Sequence, residues 1–285
     1  MAPAAIGCTS CAVEIFPRIA LAARRGDARA IPEWASTHPD PASRVKNAQT
    51  LAARVGGGGV RNADAFLASV DGVLYGDDPA QGVVEGQEFL HPDLRLKFAV
   101  PSGYGMQNGA TAVLVSGNGG QAQFTTAAYN GDMNAYISAA FKEVAGKASL
   151  SPGNIQRTTV NGIPAYYSVA RANTQSGQVD VTVFAYEFSR TSAFHFVALT
   201  QAGGAGVFNP MFQSVRRLTA SEAAAIRPRR VDVVTVARGD TVATLARRMA
   251  YTDLQTERFQ VLNRLTATSR LTPGQKVKIV VYAAR

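Results

Sequence analysis

The stretch from Val231 to Tyr282 leaves this chain the fewest ways to fold. It opens on an alternating run, with Val231, Val233 and Thr235 on one side and Asp232, Val234 and Val236 on the other, which suits a short half-buried strand. Arg238-Gly239-Asp240-Thr241 then turns the chain, and Asp240 reads as the N-cap of a helix whose apolar face is Val242, Leu245, Ala246 and Met249. Leu254, Phe259, Val261 and Leu262 mark a second short apolar helix that ends at Asn263. After a polar loop, Leu271-Thr272-Pro273-Gly274-Gln275 reads as a turn with proline at its second corner and glycine at its third. Lys276 to Tyr282 alternates again and closes the unit as a second strand. The predicted order is strand, helix, helix, strand.

Gly-Asp-Thr at the first turn, Leu-Asn-Arg-Leu at the end of the second helix and Leu-Thr-Pro-Gly-Gln-Lys-Val-Lys-Ile before the last strand give this stretch its resemblance to a LysM domain. The resemblance covers the whole stretch, with the motifs in order. It implies recognition of glycans that contain N-acetylglucosamine, chiefly peptidoglycan or chitin, in a shallow groove between the two strand-helix loops. Carried over residue by residue, the resemblance puts Gly239, Asp240, Thr241 and Val242 on one side of the groove, and Asn263, Leu265, Pro273 and Gly274 on the other. Asp240 and Gly274 are also residue types that a cap and a turn require for their own sake.

With 285 residues, 46% of them hydrophobic and 17% charged, the chain can bury a sizeable core, and its length favours two domains. The formal net charge of +9 raises attraction to polyanions. The local excess at Arg227, Arg229, Arg230, Arg247 and Arg248 has no aromatic residues interleaved in a binding platform, and the chain has no helix-turn-helix, zinc-finger or RNA-binding signature. Nucleic acid is therefore not the expected partner, and an anionic cell wall or outer-membrane lipid accounts for the charge. The two cysteines, Cys8 and Cys11, lack the second pair that a four-cysteine zinc site needs and the strand-turn-helix frame of a redox motif. No run reaches the roughly 18 apolar residues of a membrane span. Met1 to Gly7 has no basic segment and too short an apolar one for a signal peptide, so the expectation is that the natural N-terminal part is missing or replaced.

Pro39 and Pro41 keep the segment Pro32 to Arg44 extended ahead of a helix over Val45–Val55, faced by Val45, Ala48, Leu51 and Ala52. Ser36-Thr37-His38-Pro39 followed by Pro41 and Arg44 resembles the loop after the catalytic helices of HtpX/BepA-like zinc metallopeptidases, metallopeptidase family forty-eight. His38 matches the loop histidine that lies near zinc in that family, and Arg44 matches the loop's anchor. The family's zinc is held by H-E-x-x-H, in which two histidines one turn apart bind the metal and the glutamate activates water. Here the histidines are His38, His91 and His195, and none is followed by glutamate. The resemblance therefore implies the C-terminal part of such a peptidase, inactive alone, with zinc and a catalytic site expected only in a full-length relative. The phrases LYGDDPAQG and EFLHPDLRLKFAVPSGY are similar to periplasmic members of the same group.

Gly56 to Gly59 reads as a flexible break, and Asp64, Phe66, Leu67, Val70, Leu74 and Tyr75 as an amphipathic helix that stops at Gly76. Alternation then predicts strands over 94–100, 112–116, 121–127, 163–170, 179–188 and 193–200, with helices over 133–145 and 209–217. An antiparallel sheet with packed helices is the economical arrangement, and it resembles the PsbP/Mog1-type sandwich. His91 caps a turn before Pro92, and His195 points away from the face buried by Phe194 and Phe196. Glu85, Glu88, Asp180 and Glu187 read as solvated groups on strand edges.

The fold class is thus α+β: a helical peptidase remnant with its loop over 1–82, an antiparallel sheet adaptor over 83–220, a linker over 221–230 and a βααβ LysM domain over 231–282. The function that follows is a peptidoglycan-anchored, noncatalytic part of an envelope metallopeptidase, periplasmic by resemblance, with outer-membrane proteins as candidate substrates. The competing class is a stand-alone peptidoglycan-binding or envelope-assembly module.

Overall fold

The computed structural model describes residues 41–55, 62–146, 150–174 and 177–284. They divide into two compact units, Asp77–Arg227 and a second unit that joins the chain up to Gly76 with Pro228–Arg285. The protein is mixed helix and sheet, and every strand pairing is antiparallel.

In the 77–227 unit, β4 (Gly105–Asn108), β5 (Val113–Gly117), β6 (Gly120–Thr126), β7 (Gln156–Val160), β8 (Ile163–Thr174), β9 (Gly177–Ser189) and β10 (Ser192–Gln201) form one sheet in the order β4-β5-β6-β10-β9-β8-β7. A smaller sheet joins β1 (Val83–Glu85), β2 (Glu88–His91), β3 (Leu96–Ala99) and β11 (Arg216–Arg217). Hairpin connections account for the meander of β8, β9 and β10, whose alternating apolar residues bring one side to each face of the sheet.

Both faces of this sheet are covered, so its central strands are buried almost throughout. On one side Phe124, Phe184, Tyr186, Phe194 and Phe196 meet Phe89 and Phe98 of the smaller sheet and Met211 and Phe212 of α4 (Asn209–Ser214). The rings interlock at centroid distances such as 5.1 Å for Phe98 on Phe196 and 4.8 Å for Phe184 on Phe212. On the other side Val181, Val183, Ala185, Ala193 and Val197 receive Met133, Tyr136, Ile137, Ala140 and Phe141 of α3 (Met133–Ala145). Asp132 starts α3 by accepting from the N–H groups of Asn134 and Ala135, each at 3.0 Å.

Three expectations change in this unit. The helix over 209–217 stops at Ser214, because Arg216 and Arg217 pair with Lys97 and Leu96 as a strand, and a short helix, α5 (Ala220–Ala225), follows at the start of the expected linker. Asp180 is buried rather than solvated: Arg171 Nε lies 2.8 Å from one of its oxygens and Gly203 N donates to the other at 2.7 Å. The Arg171 guanidinium holds its carboxyl below the usual range. His195 points away from Phe196 as expected, yet what it meets is α3: Tyr136 Oη lies 2.9 Å from its Nδ1. Burial lowers the imidazole to about 4.

The 41–76 part carries α1 (Pro41–Val55) and α2 (Ala63–Val70). Leu51, on the apolar side expected of α1, is exposed. The helix predicted to run to Tyr75 ends earlier: Asp71 is extended, Gly72 takes φ +75, and Val73 to Tyr75 leave the helix to pair with a strand far along the chain, Leu74 bridging Arg230.

His195 is neutral when folded and gains a proton more readily when unfolded, so stability is fully present above about pH 6.5 and falls as the pH drops toward 4. Urea unfolding at pH 7 and pH 4.5 is expected to show a loss on the order of 2 kcal/mol from this group, and the His195→Gln variant a smaller loss. Phe196→Ala is expected to cost about 3 to 5 kcal/mol in the same measurement at pH 7, from the cavity it leaves among the rings.

Candidate functional site

The C-terminal unit is built on a two-stranded ribbon of β12 (Arg229–Thr235) and β13 (Lys276–Tyr282), in register from Arg229 opposite Tyr282 to Thr235 opposite Lys276. Two short helices, α6 (Val242–Ala246) and α7 (Gln255–Asn263), pack on it through Leu245, Ala246 and Phe259 against Val277, Ile279 and Val280, joined by Met249, which lies in the turn after α6 rather than on the helix as expected.

The first strand-helix loop is set by a reciprocal cap. Thr241 Oγ1 accepts from Thr244 N at 3.1 Å, while Thr244 Oγ1 accepts from Thr241 N at 2.8 Å, which makes Thr241 the N-cap of α6 in place of the expected Asp240. Asp240 is turned back instead, its Oδ2 accepting from Ala237 N at 2.8 Å, so one carboxylate oxygen closes the turn that precedes the helix. Gly239 sits in this turn at φ +92, a backbone conformation other residues adopt only with strain.

The second loop leaves α7 through Arg264 at φ 58, after which Leu265 N donates to Gln260 O at 2.8 Å and the Leu265 side chain packs against the core. Thr266 N donates to Ser269 Oγ at 2.8 Å and Ser269 N to Thr266 O at 3.1 Å, which folds the polar loop on itself. Thr272 to Gln275 forms the expected turn: Gln275 N donates to Thr272 O at 2.9 Å and Gly274 takes φ +87.

Between the two loops lies an open cleft of about 490 Å³, lined by Asp240, Thr241, Val242 and Ala243 from the first loop and by Thr256, Gln260, Ala267, Ser269, Arg270 and Leu271 from α7 and the second. Of the residues carried over from the LysM resemblance, Asp240, Thr241 and Val242 line this cleft. Gly239 shapes the turn beside it, and Pro273 and Gly274 are exposed in the 272–275 turn, where Gly274 N donates to Val236 O at 2.9 Å. Asn263 serves the ribbon: its Oδ1 accepts from Lys278 N and its Nδ2 donates to Lys278 O, both at 2.7 Å. His38 lies outside the described residues, and Arg44 falls within α1 with its side chain outside them.

Sequence reasoning passed over Thr256, Gln260, Ala267, Ser269 and Arg270. A signal was present in the four-residue spacing of Thr256 and Gln260, which puts both on one face of α7. The loop residues carried no comparable pattern.

Chemically, the cleft offers half-buried Val242 and Leu271, the hydroxyls of Thr241, Thr256 and Ser269, the amide of Gln260, one carboxylate and one guanidinium. None of the lining side chains is aromatic. Apolar patches beside neutral hydrogen-bonding groups match a sugar that carries both hydroxyls and an acetamido methyl. The stretch around it is strongly basic, with eleven Lys and Arg against four Asp and Glu from Arg229 to Arg285. Burial, followed by the charge of Arg264, lowers the Lys278 ammonium from its ordinary value.

A ribbon carrying two short helices, with a polar cleft between its loops, makes a small βααβ module. Residues 234–280 match the LysM domain family, so the chain carries a LysM domain at its C-terminal side. A LysM domain implies binding to peptidoglycan or a related glycan, and such domains usually occur in extracellular or envelope proteins. No curated protein matches the chain. Solved structures similar to it include one from Bacteroides thetaiotaomicron, at 14% identity over 57% of this chain and 57% of that one, with a TM-score of 0.36. Cyanobacterial PsbP (CyanoP) from Synechocystis sp. PCC 6803 is another, at 13% identity over 48% of this chain and 98% of that one, with a TM-score of 0.37. A Pseudomonas aeruginosa protein, PA94, a "Putative Regulator", is similar at 11% identity over 40% of this chain and 83% of that one, with a TM-score of 0.25. The chain spans less than two thirds of the first of these. Among the described residues no helix is long and apolar enough to cross a membrane.

Replacing Asn263 with Ala strips both partners from the Lys278 backbone without touching the cleft lining. It is expected to cost about 1 to 3 kcal/mol in urea unfolding and to speed hydrogen exchange at the Lys278 amide.

Proposed function

We propose that the cleft at Asp240, Thr241, Val242, Thr256, Gln260 and Leu271 binds an N-acetylglucosamine glycan of the cell wall and so addresses the rest of the chain to it. The observation that carries this reading is the cleft itself, which opens between the two strand-helix loops of a stretch matching the LysM family. Val242 and Leu271 offer a surface to the acetamido methyl, while the threonine hydroxyls and the Gln260 amide offer partners to sugar oxygens. Gly239, Asn263, Leu265, Pro273 and Gly274 act by holding the loops in place. With no aromatic ring to stack on a sugar face, a single cleft binds weakly, which suits an anchor that contacts a polymer of repeated sites.

For the whole chain, the reading is a noncatalytic C-terminal part of an envelope zinc metallopeptidase, with the 77–227 unit positioning protein substrates such as outer-membrane proteins. Its support is the Ser36-Thr37-His38-Pro39 phrase with Pro41 and Arg44, together with LYGDDPAQG. On this reading the purified chain leaves casein intact with zinc added, and cleavage would overturn it.

The glycan reading is tested by pelleting with purified peptidoglycan. Thr256 is exposed and lines the cleft, so Thr256→Trp fills it from the helix side. The variant is expected to stay in the supernatant while unfolding at the wild-type urea concentration, and equal pelleting of the two proteins would sink the proposal.

A further inference from the structure

We propose that Arg270 reads a carboxylate on the bound glycan, so that the cleft prefers anionic wall strands to neutral chitin chains; this rests on the glycan reading above. Arg270 is exposed, lines the cleft, and makes no ion pair or hydrogen bond with any described residue. Its neighbours in the loop satisfy one another, Thr266 with Ser269 and Thr272 with Gln275, so the fold makes no use of its charge.

The other charge in the cleft is Asp240, which is tied through Oδ2 to Ala237 N and forms no ion pair with Arg270. The cleft therefore holds one committed anion and one uncommitted cation. A guanidinium presents paired N–H donors that fit the two oxygens of a carboxylate, and the excess of basic residues from Arg229 to Arg285 adds attraction for the same sign of ligand. Neutral chitin has no group that uses either feature. A muramic acid residue carries a carboxylate on its lactyl ether when the stem peptide is absent, and on the peptide when it is present.

The experiment measures binding of the whole chain to three probes at low salt by calorimetry: chitotetraose, peptide-free wall strands with bare lactyl carboxylates, and strands that keep their stem peptides. Wild type is expected to bind at least one anionic probe about three- to tenfold more tightly than chitotetraose, with the margin shrinking in 0.5 M salt. Which anionic probe carries the margin identifies the carboxylate. Arg270→Gln is expected to erase the margin by weakening the anionic probe more than chitotetraose, and Arg270→Lys to keep the part that salt removes. If Arg270→Gln keeps the wild-type ratio, the role of Arg270 is overturned while glycan binding stands. If wild type binds none of the three, the glycan reading falls and this proposal with it.

Discussion

The C-terminal unit depends on how the two raw edges of its ribbon are closed. Two strands alone leave a row of unpaired N–H and C=O groups on each side and have little stability in water. On the β12 side, Gly72 N donates to Val231 O at 2.8 Å, Val231 N to Val73 O at 2.9 Å and Tyr75 N to Arg229 O at 2.8 Å. The Asp71 carboxylate then takes the next free donor, Val233 N, at 2.9 Å. On the β13 side, Ala250 N reaches Val280 O at 2.8 Å and the Asn263 carboxamide imitates one residue of a neighbouring strand. Each edge is thus sealed by a few groups, and the loops that frame the cleft hang from the ribbon so fixed.

Arg229 links this scheme to the helices. Its guanidinium donates to Ala250 O at 3.1 Å and lies over the rings of Tyr251 and Tyr282, at 5.0 and 5.5 Å from their centroids. Arg258 stacks on Tyr251 at 4.3 Å while pairing with Asp253 at 3.0 Å. The charges of Arg229 and Arg258 are therefore built into structure on this side, whereas Arg270 has no such partner among the described residues.

The βααβ order, the end of the second helix at Asn263 and the 272–275 turn were legible because each is a local signal: alternation, the close of an apolar run, a Pro-Gly pair. Asp240 was misread as the cap because Asp and Thr are both good caps, and only the backbone path decides which one faces Thr244 N. Ser269 and Arg270 were missed because the lining from a loop is fixed by which loops meet, not by neighbours in sequence. The long strands of the 77–227 unit and β3 were read from alternation, while β1, β2 and β11 of the small sheet were overlooked because they run only two to four residues. His195 looks exposed in a period-two pattern, since alternation reports two faces and cannot tell that helix α3 covers the second. Asp180 lies on the opposite face, where the Arg171 guanidinium and the Gly203 N–H close over it.

The pairing of Leu74 with Arg230 makes the 77–227 unit an insertion within the other. Closing so long a loop as floppy chain carries a heavy entropic penalty, which drops once the inserted unit has folded and drawn its own ends together. During synthesis, then, the strap at 71–75 leaves the ribosome long before the ribbon it seals, and the chain of the LysM module is complete only after that of the inserted unit.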